Sequence, residues 1–246
     1  MTTLGPSSVS RKEVDAVKIP QHIEAIAREG SRLAEAAQAA GLDTPVPTCP
    51  GWNTRDLVRH LGEIHLWAAA HVAQPDTPAF APSEDAMLTV LSERWPELGI
   101  FWVDDEDLTD WYLKTNANLV DALETAKDDL EAWTFLPAPT PRAMWARRQA
   151  HETSIHRFDA EAAAGGGSDF DQTIAADGID ELLSAMTTNR RLDVPVAHSQ
   201  SMAVHATDTD DRWLVTFESN VATTTRDDGP ADVLVAASAS DLYPVS

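Results

Sequence analysis

Apolar positions recur at helical spacing over the first two thirds of the chain and at alternating spacing near its end. From Gln21 to Ala40, Ile23, Ile26, Ala27, Leu33, Ala34 and Ala37 lie three or four apart and Gly41 follows, which predicts a first helix with a glycine stop. The segment DTPVPTCPGW, Asp43 to Trp52, carries three prolines and a glycine and must be a turn-rich connection. Asn53 or Thr54 can then cap a second helix bearing Leu57, Val58, Leu61, Ile64, Leu66 and Trp67, to about Val72.

A proline-rich stretch, Pro75 to Pro82, precedes a helical segment near Glu84 to Arg94 that Pro96 interrupts. A third long helix is expected over Leu108 to Leu130, behind the acidic run Asp104 to Asp107, which suits the positive end of a helix dipole. The prolines between Pro137 and Pro141 separate it from a fourth, about Arg142 to Ala164, which Gly165, Gly166 and Gly167 end. Four long helices joined by proline-bearing loops predict a bundle.

Beyond the glycines the pattern predicts one helix, Gln172 to Met186, and strands near Ser201 to Thr207, Trp213 to Glu218, Val221 to Thr225 and Asp232 to Ala237. Asp208 to Asp211 reads as a hairpin connection, and Asp227, Asp228, Gly229 and Pro230 as another. The expected architecture is α+β. It comprises a flexible leader over 1–18, a four-helix bundle over 19–167 and a smaller α+β domain over 168–246, with the boundary at Gly165 to Asp169.

Composition narrows the function classes. A hydrophobic share of 43% is enough for a packed core. The single cysteine, Cys49, allows no internal disulfide, and neither a signal-like start nor an apolar run of membrane-spanning length is present, so a reducing, cytoplasmic setting is expected. A net charge of -22 repels phosphate backbones and anionic membranes, which points to small-molecule partners rather than nucleic acid or membrane and leaves oligomeric state unread.

Candidate chemistry sits in HETSIHRFDAE, His151 to Glu161. On a helix Glu152 and His156 lie about 40° apart, with Asp159 about 20° to the other side of Glu152 and His151 about 100° away. Glu152 and His156 can therefore grip one ion together, whereas His151 and His156, five apart, do not fit the two-histidine helix of a metalloprotease. A third ligand must come from a neighbour, and the second helix offers His60, His65 and His71. Two imidazoles and one carboxylate suit Zn, Ni, Fe or Mn and leave coordination positions open. The competing reading is a Glu–His pair that merely satisfies itself on an inward helix face.

Other side chains carry weaker signals. Cys49 reads as a small apolar residue in its turn, with no adjacent base to make it a nucleophile. Trp52 and Trp67 are expected to pack the bundle, and Trp145, near the Glu152 face, could wall a pocket. Asp159 could orient a ligand histidine or pair with Arg157 or Arg148, and Arg148 could receive an anionic substrate or be a solvated surface charge. His65, His71 and His151 read as ordinary surface or packing residues, and His198 and His205 belong to the second domain, the latter in a structural role.

Two separated segments, PTCPGWNTRDLVRHLGEIHLWA (Pro47 to Ala68) and RRQAHETSIHRFDAEAA (Arg147 to Ala163), resemble the mycothiol-dependent maleylpyruvate isomerase family of actinobacteria, part of the DinB-like metal-binding bundles. TDTDDRWLVTF (Thr207 to Phe217) and ADVLVAASASDLY (Ala231 to Tyr243) resemble that family's sterol-carrier-like C-terminal domain. The resemblance implies a divalent metal, usually zinc, held by His60, Glu152 and His156, with mycothiol as thiol cosubstrate at the open position. It implies an isomerase or thiol transferase acting on a small electrophile. It also implies a further C-terminal helix bearing an arginine that faces the site, and the sequence stops at Ser246 before it. A non-catalytic metal-stabilised binding module and a thiol-independent metal hydrolase are the rival readings.

Overall fold

The computed structural model describes residues 17–73, 93, 95–98, 104–187 and 199–245. The expected leader up to residue 16, the helix near 84–94 apart from Glu93, and His198 lie outside the described residues. Helices α1 (Ile19–Ala40), α2 (Thr54–Ala73), α3 (Leu108–Thr125) and α4 (Pro141–Ala163) form the N-terminal part. A second layer follows: α5 (Gln172–Asp180), a π-helical turn (Glu181–Thr187), strands β1 (Gln200–Ala206), β2 (Asp211–Glu218), β3 (Val221–Thr225) and β4 (Val233–Ala237), and the short α6 (Ala239–Leu242). No helix among the described residues is long and apolar enough to cross a membrane.

Local chemistry sets the helix ends. Asn53 caps α2 reciprocally: its side chain accepts from the Asp56 amide at 3.0 Å, and its own amide donates to the Asp56 carboxylate at 3.0 Å. Thr140 caps α4 by accepting from the Ala143 amide, and Pro141 opens that helix where a missing N–H costs nothing. α3 stops at Thr125, short of the expected Leu130. There Arg142 of α4 donates to the carbonyls of Leu123 and Glu124, and the chain turns to an extended conformation at Ala126.

α1 lies against α3 and α4, and α2 against the same pair. One end of the core is filled by Leu33, Leu57, Leu61, Leu108 and Tyr112, and the other by Ile26, Ala69, Leu119, Leu123 and Trp145. The sheet has the order β3-β2-β1-β4, with β1–β2 and β2–β3 antiparallel and β4 parallel to β1. Asp208 to Asp211 does join a hairpin, whereas the segment around Asp227 to Pro230 is a crossover and not the hairpin its turn residues suggested. Turn propensity reports only that the chain bends; the strand's partner is set by tertiary pairing, here anchored where Asp232 and Ser201 exchange hydrogen bonds. The expected single helix Gln172 to Met186 is α-helical only to Asp180 and then widens into the π turn.

Two buried polar hubs join the layers. The Arg157 guanidinium, 0% exposed, donates to Glu29 of α1, to Glu161 and to the Ser168 carbonyl, and lies 4.5 Å from the Phe170 ring centre. Asp177 of α5 takes His22 of α1, His151 of α4 and Arg147 of α4 on one carboxylate oxygen, each at 2.9 Å. Tyr243 completes the second hub through a 2.9 Å hydrogen bond to His151 Nδ1, and its ring fits only because Gly178 has no Cβ.

His71 of α2 is fully buried among Trp67, Trp133 and Trp145, stacked on the last at 10°, and neither ring nitrogen has a hydrogen-bond partner among the described residues. Burial pushes its pKa down to about 4. The unfolded chain protonates this imidazole near pH 6.5 and the folded one resists until about pH 4, so stability is lost as pH falls through that window, by about 3 kcal/mol in all. His71→Phe is expected to raise the denaturation midpoint and flatten its decline between pH 6.5 and 4; an unchanged acid limb would contradict the assignment.

Candidate metal centre

The site is built by three segments that the bundle brings together. α2 presents His60, α4 presents Glu152 and His156 one turn apart, and the proline turn before α2 presents Cys49 and Trp52. Gly51, at a φ of 88° that L side chains avoid, lets this turn close with Trp52 donating its amide to the Cys49 carbonyl. The Trp52 ring then lies 4.9 Å from His60 and 6.4 Å from His156, centre to centre, and walls one side.

His60 Nε2 lies 3.6 Å and His156 Nε2 3.3 Å from the same oxygen, Oε1 of Glu152. Ligands about 2.0–2.2 Å from a tetrahedral ion sit about 3.3–3.6 Å from one another, and these two separations match that spacing. The opposite side of each α4 ligand is fixed. His156 Nδ1 is 2.8 Å from Asp159 Oδ2, which places a proton on Nδ1 and turns Nε2 toward Glu152. Glu152 Oε2 accepts from Arg148 at 2.6 Å, leaving Oε1 for the common point.

Two imidazole nitrogens and a carboxylate oxygen that converge on one point are held by positive charge, either a cation between them or a proton on an imidazole. Burial alone would raise the Glu152 carboxyl, but His156, His60 and Arg148 hold it well below the usual carboxylate range. Burial likewise opposes an imidazolium at His156, yet Asp159, Cys49 and Glu152 together raise its pKa well above the ordinary value. The three side chains are partly open to solvent, His60 most at 32%, so a small molecule can reach the common point.

Each described residue singled out from sequence has a place. His60, Glu152 and His156 come together, and Asp159 stands behind His156. Arg148 lies between Glu152 and Glu181, and Trp145 is fully buried in the core beside Trp67 and His71. His65 is buried and bonded to Thr153 at 3.0 Å, His151 is in the Asp177 hub, and His205 pairs with Asp210 on the sheet. Cys49 is half-buried and donates to Asp159 at 3.3 Å, a contact its reading as a small apolar residue did not anticipate. Among the described residues, two further groupings have metal-like spacing. Cys49, His156 and Asp159 share a ligand with the first site, and in the His22–His151–Asp177 hub Arg147 already occupies the shared carboxylate oxygen.

Residues 23–161 match the family model of the mycothiol maleylpyruvate isomerase N-terminal domain. The chain belongs to this family. Crystal structures of the mycothiol-dependent maleylpyruvate isomerase and of a histidine-to-alanine mutant of it each superpose with a TM-score of 0.59 at 13% identity, over 92% of this chain and 88% of that chain. At that identity the likeness establishes the isomerase fold, a helical N-terminal region with a small C-terminal mixed sheet, which is the α+β class expected from sequence. No curated protein matches the chain. His60, Glu152 and His156 lie on the two family-like segments and inside the matched region.

Proposed function

We propose that the chain is a metal-dependent enzyme that uses mycothiol, acting as an isomerase or thiol transferase on a small electrophile in the cytoplasm. The observation that carries this reading is the convergence of His60, Glu152 and His156 on one partly open point in a member of this family. A divalent cation held there, zinc by preference for this ligand set, would supply the charge that favours thiolate over thiol.

The protein's own residues do the rest. Asp159 keeps the His156 proton on Nδ1, Arg148 keeps Glu152 Oε1 turned inward, and Trp52 shields one side from water. The thiolate sulfur bonds to one carbon of a conjugated double bond as the π pair moves onto the conjugated acceptor group, the remaining single bond rotates, and the returning pair re-forms the double bond and expels the thiolate. The thiolate is thereby regenerated and no net oxidation occurs. In a transferase the C–S bond is kept instead and the displaced pair takes a proton from solvent. Both uses need the sulfur activated and the acceptor held in line, which a half-buried site with one solvent-facing side provides.

Two rivals predict different outcomes. The protein loaded with cobalt(II) is expected to develop a thiolate charge-transfer band on addition of mycothiol and not of glutathione. A spectrum that mycothiol leaves unchanged would indicate a metal-stabilised binding module, and thiol-free hydrolysis of esters or amides would indicate a hydrolase with water as nucleophile. Either result would overturn the proposal.

A further inference from the structure

Glu152 is the only carboxylate in the candidate metal centre, and its two oxygens are used differently. Oε1 faces the imidazoles, while Oε2 is held by Arg148 Nη2 at 2.6 Å. Arg148 is itself enclosed, its side chain 16% exposed, and an enclosed guanidinium needs more counter-charge than one shared carboxylate gives. Its second terminal nitrogen, Nη1, donates to Glu181 Oε2 at 2.5 Å and touches the Met186 sulfur at 3.6 Å. Glu181 is 3% exposed and belongs to neither α2 nor α4: it opens the π-helical turn at the end of α5, in the C-terminal layer. Such π turns are frequent where a side chain must be re-aimed for function.

We infer that Glu181 is a positioning residue for the metal centre, acting through Arg148 to set the orientation and charge of Glu152. This rests on the metal reading above. With Glu181 in place, Arg148 divides its charge between two carboxylates, so Glu152 keeps electron density for the cation. Without that counter-charge the whole guanidinium bears on Glu152 and competes with the ion for it. The C-terminal layer thus contributes to a centre whose ligands all lie in the N-terminal helices.

The test is a set of metal affinities in the full-length protein. Glu181→Gln keeps shape and removes charge, and it is expected to weaken zinc or cobalt binding about 10- to 100-fold and to shift the cobalt absorption bands. In an Arg148→Gln background the same change is expected to have no further effect, because its route is gone. Asp180→Asn, on the same helical run but bonded to Trp213, Arg147 and Arg226, serves as a structural control and is expected to leave affinity unmoved. Equal affinity in wild type and Glu181→Gln overturns the inference, as does an equal loss in Asp180→Asn or an undiminished effect in the Arg148→Gln background. Wild-type protein that binds no metal overturns the metal reading instead, so the two failures are distinguishable.

Discussion

Replacing His156 by alanine is expected to empty the metal centre and to cut thiol-dependent turnover by about a thousandfold or more, on the order of the loss of a principal source of charge stabilisation. In the proposed centre the substitution removes one of three ligands, the one that Asp159 holds in place, and the two that remain do not retain the cation. His156 is only partly buried and is not among the residues of the apolar core, so circular dichroism should report an intact helical fold. His60→Ala is expected to behave alike, because two remaining protein ligands do not make a tight site. Metal content by elemental analysis and turnover with mycothiol are the paired measurements. Full turnover in metal-free protein would end the mechanism.

Arg157→Met is expected to cost about 3–5 kcal/mol, with the unfolding midpoint lowered by roughly 6–20 °C. The guanidinium is wholly buried and tied to Glu29, Glu161 and Ser168; removing it leaves Glu161 with Arg32 and Ser168 only and deprives the 3% exposed Glu29 of its one fully buried cation. Arg28 and Arg32 also reach Glu29 but are partly solvated, so Arg32→Ala should cost under about 1 kcal/mol. Chemical denaturation of both variants checks the contrast; equal effects would mean that burial does not decide the value of these ion pairs.

Much of this molecule was legible in its pattern of residues, for reasons that individual elements make clear. α1, α2 and α4 have strong periodicity bounded by glycine, Asn53 and Pro141, and all four strands lie within about two residues of expectation. The end of α3 was not legible, because what stops it is a side chain on another helix. Nor was the partner of β4, since a turn motif is silent on parallel against antiparallel pairing. At the centre, spacing alone put Glu152 and His156 on one face but could not choose among His60, His65 and His71, which needed family resemblance. The structure supplies a physical reason for that choice: His65 lies under Thr153 and His71 among tryptophans, while His60 reaches Glu152. Trp52 was read as packing because aromatics usually are, and Glu181 carried no signal because its partner is 33 residues earlier in another layer.

The proposed ligands sit far apart along the chain, His60 on α2 and Glu152 with His156 on α4. An unfolded polypeptide therefore offers an ion at most the Glu152–His156 pair, a weak grip, and the complete set exists only once the helices have docked. The cation can reward the finished bundle without templating its assembly, so chelators should lower the melting temperature while leaving the refolding rate nearly untouched.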